Sequence, residues 1–251
     1  MAASHGSLAR LYAGGYDLSG QMRGAAMAQS ADVAEATPWF NEATGQASKS
    51  KVYVPGLKDA TLSGEGIFDG AIDRIDPILA AALGQGGSVL CLLPTGDVFG
   101  ARSKSLSSIF TTVETDSPVD DIVTISLEAQ ASGGGNPGKI LRATTGALDI
   151  SGPGNGTTLD DLGAAGTTEF GGAGFLQVID KGGGAGTLTV KIQDSVDGSV
   201  WADLLTFTGV TIKNVAEKIE VSGTVDRRLR AQWAVTGGTW DFHVNFSRRY
   251  T

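Results

Sequence analysis

The chain has 251 residues, 37 of them glycine and 7 proline, so glycine stands at about twice its usual share of roughly 7%. There is no Gly-X-Y period, no apolar run near the roughly 18 residues of a membrane helix, and a single cysteine, which exclude collagen, a helical span and a cysteine-based disulfide or zinc framework. The formal charge of −8 is lopsided: residues 1–132 hold 15 acidic against 8 basic side chains, and residues 133–251 hold 12 against 11, so the first half lacks the cation cluster that tight phosphate binding needs.

Met1–Tyr16 shows no basic stretch followed by an apolar one, so no secretory leader is expected. Residues 1–17 read as an arm. Gly14–Ser30 is rich in glycine and alanine, with Leu18, Met22 and Ala26 as apolar points, and leads into a first strand. Ala31–Ser50 keeps neither a helical nor a strand period and carries Pro38, Trp39 and Phe40. An irregular stretch of about 20 residues is long for a compact domain and reads as an interaction loop. Lys51–Val54 is a short β-prone run stopped at Pro55–Gly56. Ala60, Leu62, Gly64, Gly66 and Phe68 then alternate with Thr61, Ser63, Glu65 and Ile67 as a strand, whose two glycines admit another backbone.

One short helix is predicted next: Asp76 as cap, Pro77 at the first helical position, Ile78, Leu79, Ala82 and Leu83 on one face, and Gly84 as the stop. Ser88–Leu93 is a continuous apolar strand in which Cys91 reads as a small buried hydrophobe. Lys104–Glu114 is a further strand. Val123, Ile125, Leu127 and Ala129 alternate cleanly with Thr124, Ser126, Glu128 and Gln130.

Ala131–Gly138 is glycine-rich, and Ser151–Gly174 is a second loose stretch. They divide the chain into a domain at 1–132, a linker region at 133–174 and a second domain at 175–251. In the last, strands come quickly: Leu176–Val178, Leu188–Ile192, Trp201–Phe207 after an Asp197–Gly198 turn, Ile219–Val221, Arg228–Trp233 and Thr239–Phe246. Short alternating strands with frequent turns are the signature of a β-sandwich. On this reading the arginines and lysines, and His243, fall on the outer, polar phase.

No catalytic constellation is proposed. There is no Gly-x-Ser-x-Gly elbow and no Walker loop. Gly182–Gly186 precedes a strand rather than the helix that a phosphate loop requires. Asp194 and Asp197–Gly198 lack the remaining donors of a calcium loop and read as turn chemistry. His5 and His243 are the only histidines, so no metal or cofactor is expected.

The first half resembles the major tail (tail tube) proteins of long, non-contractile-tailed bacteriophages. The resemblance is carried by Tyr16-Asp17-Leu18-Ser19-Gly20, then Val54-Pro55-Gly56-Leu57-Lys58-Asp59 running into Leu62-Ser63-Gly64-Glu65-Gly66 and Phe68-Asp69-Gly70, with the irregular segment and the short helix in the family's order, over roughly residues 10–132. Phe175-Leu176-Gln177-Val178, Lys191-Ile192-Gln193, Asp197-Gly198 and Trp201-Ala202-Asp203-Leu204 look like a β-domain appended in such proteins.

The resemblance implies a mainly β fold: a tail-tube-type sandwich or barrel with one short helix, followed by a second antiparallel β-sandwich. It implies a non-enzymatic virion protein, assembled in the host bacterial cytoplasm as six-membered rings that stack into a tube. DNA passes through without specific binding, and no membrane is involved. Implied partners are the chain itself and the tape measure, tail terminator and distal tail proteins. The 29–50 loop is the candidate for ring stacking, with Val33, Trp39, Phe40, Lys49 and Lys51 as its residues; Trp39 and Phe40 either anchor a neighbour or cover their own core. Two alternatives stand beside this: a carbohydrate or host-surface module built on Trp201, Trp233 and Trp240, and a tube subunit of a contractile or related injection system.

Overall fold

The computed structural model describes residues 6–37, 40–41, 46–47, 51–162 and 166–250. A single 3-10 turn, Gly6–Leu8, precedes β1 (Arg10–Ala13), β2 (Tyr16–Asp17) and the long β3 (Met22–Glu35). Two very short strands, β4 (Phe40–Asn41) and β5 (Gln46–Ala47), come before β6 (Tyr53–Ile67) and the one α-helix among the described residues, α1 (Ile75–Ala82). Next are β7 (Ser88–Leu93), β8 (Arg102–Asp116), β9 (Thr124–Ala131) and β10 (Asn136–Arg142). The rest is β11 (Gly154–Asn155), β12 (Leu159–Asp160), β13 (Gly172–Gly182), β14 (Leu188–Ser195), β15 (Ala202–Thr206), β16 (Val215–Val221), β17 (Arg228–Val235) and β18 (Thr239–Arg248).

One large antiparallel sheet runs β16-β13-β18-β10-β8-β7-β1-β2, and at β8 it also continues through β9 and β6 to β3. A second sheet runs β11-β17-β14-β15, with β12 also on β17. Alternation along the strands shows how these layers stack. In β7, Leu90 and Leu92 point into a core with Leu62, Leu106, Phe110, Ile125 and Leu127, while Val89, Cys91 and Leu93 point the other way, towards Ile140 and Phe175. In β13, Phe175 joins that second core, while Leu176 and Val178 join a third with Val190, Ile192, Leu229 and Phe242. The large sheet therefore folds back on itself, and β7, β13 and β18 are inner strands covered on both faces. Fully burying an apolar side chain of this size contributes about 1.5–3 kcal/mol.

α1 lies on the first core through Ile75 and Leu79. It starts at Ile75, with Arg74 as the N-cap and no side-chain cap hydrogen bond, which corrects the reading of Asp76 as cap and Pro77 as first helical residue. Asp76 then sits in the first turn, where a carboxylate suits the positive helix end. Gly84 ends the helix at φ +72°, a left-handed conformation natural to glycine.

Three expectations take a different form. Residues 10–17, read within an arm, contain β1, which is bonded to both β2 and β7 and contributes the buried Leu11, Tyr12 and Ala13. The 133–174 segment, read as a linker region, contains β10, which pairs with β8 on one edge and β18 on the other. Ala31–Glu35, read as loop, and Pro55–Gly56, read as the stop of the β-prone run Lys51–Val54, lie within β3 and β6, because pairing between the two strands holds them in a register that neither shows alone.

Candidate functional site

β3 and β6 pair from Met22↔Gly66 out to Glu35↔Tyr53, but β6 has a second neighbour, β9, only over Thr61–Ile67. Beyond that point the pair is a two-stranded ribbon with no third strand on β6 among the described residues. Gln29–Glu35 and Tyr53–Asp59 are exposed at every position. The near end is tightly packed: a Cβ on Gly66 would lie 2.7 Å from the Gln21 carbonyl, the close backbone approach expected of this glycine. The far end is closed by the Ala36 amide donating to Val52 O at 2.8 Å and the Val52 amide donating to Thr37 Oγ1 at 2.9 Å.

An isolated two-stranded ribbon is marginal in water, and this one carries apolar side chains outward. Leu57 is 81% exposed and Val33 63%, and Val52, Tyr53 and Val54 are also exposed. The ribbon contains two of the five residues expected to mediate stacking or abuts them: Val33 lies on β3, and Lys51, at the far end, pairs with Glu35 at 2.8 Å. Phe40 belongs to β4, paired with Ala47 across β4–β5. Trp39 and Lys49 lie outside the described residues.

The outer face of the ribbon-bearing sheet is polar and acidic. Glu65, Glu114 and Glu128 surround a broad shallow depression with Ser63, Thr112 and Ser126. One cation borders it, Arg23, 3.9 Å from Glu65.

A second constellation lies between the inner layers. Asp97 accepts from Tyr12 Oη at 2.9 Å and from the Thr144 amide at 2.9 Å, and lies 3.0 Å from His243 Nδ1. Asn245 Nδ2 reaches His243 Nε2 at 3.0 Å and Cys91 Sγ at 3.3 Å, and Asn245 Oδ1 accepts from Ser105 Oγ at 3.2 Å. Gln177 accepts from the Gly15 amide at 2.7 Å and donates to Val89 O at 2.9 Å. His243 is thereby held at both ring nitrogens, Nδ1 by Asp97 and Nε2 by Asn245.

His243 is thus fully buried, which corrects its placement on a solvated face. The polar phase of β18 faces inward because a further layer covers it. Arg248 departs from the outer phase in the same way. Arg142 is buried over the Phe242 ring, 4.0 Å from its centroid, and pairs with Asp241 at 3.6 Å and Asp149 at 3.2 Å. Arg248 clasps Asp161, Thr168 and two backbone carbonyls. Burial pushes the Cys91 thiol up from its ordinary value, which disfavours the reactive thiolate.

Of the three tryptophans weighed for sugar binding, Trp240 is fully buried and Trp233 packs edge-on to Phe242 at 5.6 Å. Trp201 is half-buried, with the Arg230 guanidinium stacked 4.1 Å from its ring centroid. Asp197 caps its own turn, accepting from the Ser199 amide at 2.7 Å and the Val200 amide at 3.1 Å.

No protein-family model and no curated protein sequence matches the chain. Among solved structures, a chain of the virion of a native gene transfer agent particle aligns at 13% identity, covering 53% of this chain and 97% of its own, with a TM-score of 0.41. A chain from the tail of an empty particle of the same kind, refined with C6 helical symmetry, aligns at 15% identity over 53% and 97%, with a TM-score of 0.40. The SPP1 Dit protein, described as a hub of the adsorption apparatus in phages that infect Gram-positive hosts, aligns at 10% identity over 95% and 98%, with a TM-score of 0.34.

Proposed function

We propose that the chain is a structural subunit of a phage-type tail tube, assembling into rings, hexameric as in the family it resembles, that stack around a DNA channel. The observation that carries this reading is the unsupported β3–β6 ribbon. Its two strands expose Val33, Tyr53, Val54 and Leu57, and a second copy of the chain supplies the cover that the ribbon lacks in the monomer. Its β3 strand, at Gln29–Glu35, lies within the 29–50 stretch that the tail-tube resemblance marks as the stacking loop, and its β6 strand, at Tyr53–Asp59, follows that stretch. A ring closes by head-to-tail contacts between subunits, and a separate contact along the axis remains open to repeat.

The acidic face around Glu65, Glu114 and Glu128 supports the same reading. A wall of carboxylates repels phosphate and lets DNA slide. The tape measure, terminator and distal tail proteins are then the partners at the inside and the two ends of the tube, and the virion tail is its location.

Negative-stain microscopy of the purified chain over a range of concentration and salt tests this. Rings or tubes are the expected result. Monomers under every condition overturn it.

A further inference from the structure

The second sheet turns one face to the core and the other away from it. Val190, Ile192, Leu205, Leu229 and Ala231 point inward. The register gathers their neighbours on the opposite face. Asn155 and Lys191 both pair with Gln232, and Gln193 pairs with Arg230 on one side and Asp203 on the other. This face is a platform of amides and charged groups.

Its side chains hold one another in place. Gln193, only 7% exposed, donates to Asp203 Oδ1 at 2.6 Å and accepts from Arg230 Nε at 2.9 Å. Lys191 Nζ donates to the other Asp203 oxygen at 2.5 Å. The Arg230 guanidinium lies over the Trp201 ring, and Trp201 Nε1 donates to Gly198 O at 3.1 Å in the turn that Asp197 caps. Arg230 is thus fixed through its flat face and its Nε, while Nη1 and Nη2 make no hydrogen bond among the described residues.

The carboxylates nearby are already engaged. Asp203 serves Lys191 and Gln193, Asp160 is shared by Arg227 at 3.2 Å and Arg228 at 3.6 Å, and Asp197 accepts from the amides of its own turn. Arg230 has no carboxylate within ion-pair distance among the described residues. The chain as a whole carries −8, but charges more than about 8 Å apart are largely screened at physiological salt, so the unpaired Arg230 sets the local preference.

We propose that this face binds an acidic polysaccharide, with an oxyanion of the sugar chain seated on Arg230 Nη1 and Nη2 and its hydroxyls on Gln232 and Asn155. A guanidinium already stacked and oriented gives two parallel bonds to a carboxylate or phosphate with little further loss of freedom. Trp201 is a positioning residue here: the guanidinium covers its ring, so the anion contact falls to Arg230. Amides and hydroxyls beside the cation, Thr189 and Thr206 included, suit a polyol, whereas the centre of a protein interface is apolar. The inference goes beyond tube assembly and does not depend on it.

Calorimetric titration of the full chain tests this, with polygalacturonate as the carboxylate probe, poly(glycerol phosphate) as the phosphate probe and dextran as the neutral one. The expected result is binding of at least one polyanion, weakening as salt rises, and none of dextran; which polyanion binds identifies the oxyanion. Arg230→Gln should weaken binding about tenfold or more, and Arg230→Lys, which keeps the charge without the planar fork, should recover little of it. Gln232→Ala, a substitution that leaves Arg230 and Trp201 in place, should cause a smaller loss. Lys58→Gln removes an exposed cation on the β3–β6 ribbon and should leave affinity unchanged. Melting curves and assembly of the Arg230 variants should match the parent, which separates lost binding from lost folding. No binding of either polyanion, equal affinity in parent and Arg230→Gln, or equal losses from Arg230→Gln and Lys58→Gln overturns the proposal and leaves the assembly reading standing. Absence of rings or tubes overturns the assembly reading alone.

Discussion

His243 Nδ1 lies 3.0 Å from Asp97 Oδ1, across 146 positions of sequence, and both side chains are almost wholly buried. The pair ties β18 to the loop after β7. Tyr12 and Thr144 bring β1 and the segment after β10 to the same carboxylate. Four distant stretches of chain are thereby fixed on one side chain in the middle of the molecule.

Replacing Asp97 with alanine strands a buried imidazole, a buried phenol and a backbone amide without their acceptor. Breaking a buried charged hydrogen-bond set of this kind costs about 3–5 kcal/mol. Urea denaturation should show that loss, while Thr144→Ala, which leaves the Asp97 carboxylate in place, should cost far less.

Asp97 and Asp241 should tilt the pH dependence of stability in opposite directions. Burial raises Asp97, but the neighbouring His243, the Thr144 amide and the Tyr12 hydroxyl outweigh it and hold the carboxyl below its usual value. A folded value below the unfolded one gives stability that is complete above about pH 4 and is lost as pH falls. Burial raises Asp241 to about 6, against the pull of Arg142. A folded value above the unfolded one means that stability declines as pH rises from about 4 to about 6. Urea midpoints between pH 3 and 8 should show Asp241→Asn without that decline and Asp97→Asn without the acid-side loss.

Leu57→Ser changes a side chain that is 81% exposed and touches no core. Monomer stability should stay within about 0.5 kcal/mol of the parent. Assembly, measured by light scattering, should fall sharply. Equal scattering from parent and variant would count against the ribbon as the contact surface.

Gly66→Ala should destabilise the folded chain by about 1–3 kcal/mol through overpacking, since its Cβ would meet the Gln21 carbonyl at 2.7 Å and Ile75 at 3.0 Å. Gly86→Ala, where a Cβ meets nothing within 4 Å, is the control, and thermal melts compare the two.

Strands whose two faces differ were legible from sequence. β9 alternates Ile125, Leu127 and Ala129 against polar neighbours, and only the first set is fully buried with the core. β18 shows the same alternation, yet Asp241, His243, Asn245 and Ser247 are buried as deeply as Trp240 and Phe242. The polar phase there meets Ser105, Asp97 and Cys91, partners brought in by pairing across more than a hundred residues, which a local period does not encode. The ribbon was hidden for a different reason. β3 is rich in alanine, β6 is interrupted by Pro55–Gly56, and both are exposed on both faces there, so they carry no hydrophobic alternation, and only the irregularity of 31–50 hinted at an interaction element.

β8 is a single unbroken strand that bonds β10 and β7 through its first half and β9 through its second. It runs from the buried middle of the molecule out to the sheet that carries the ribbon, and its register slips once on the way, between Phe110 and Thr112. A bulge bends a strand and sharpens its twist, so this single step re-aims the ribbon-bearing strands relative to the buried middle.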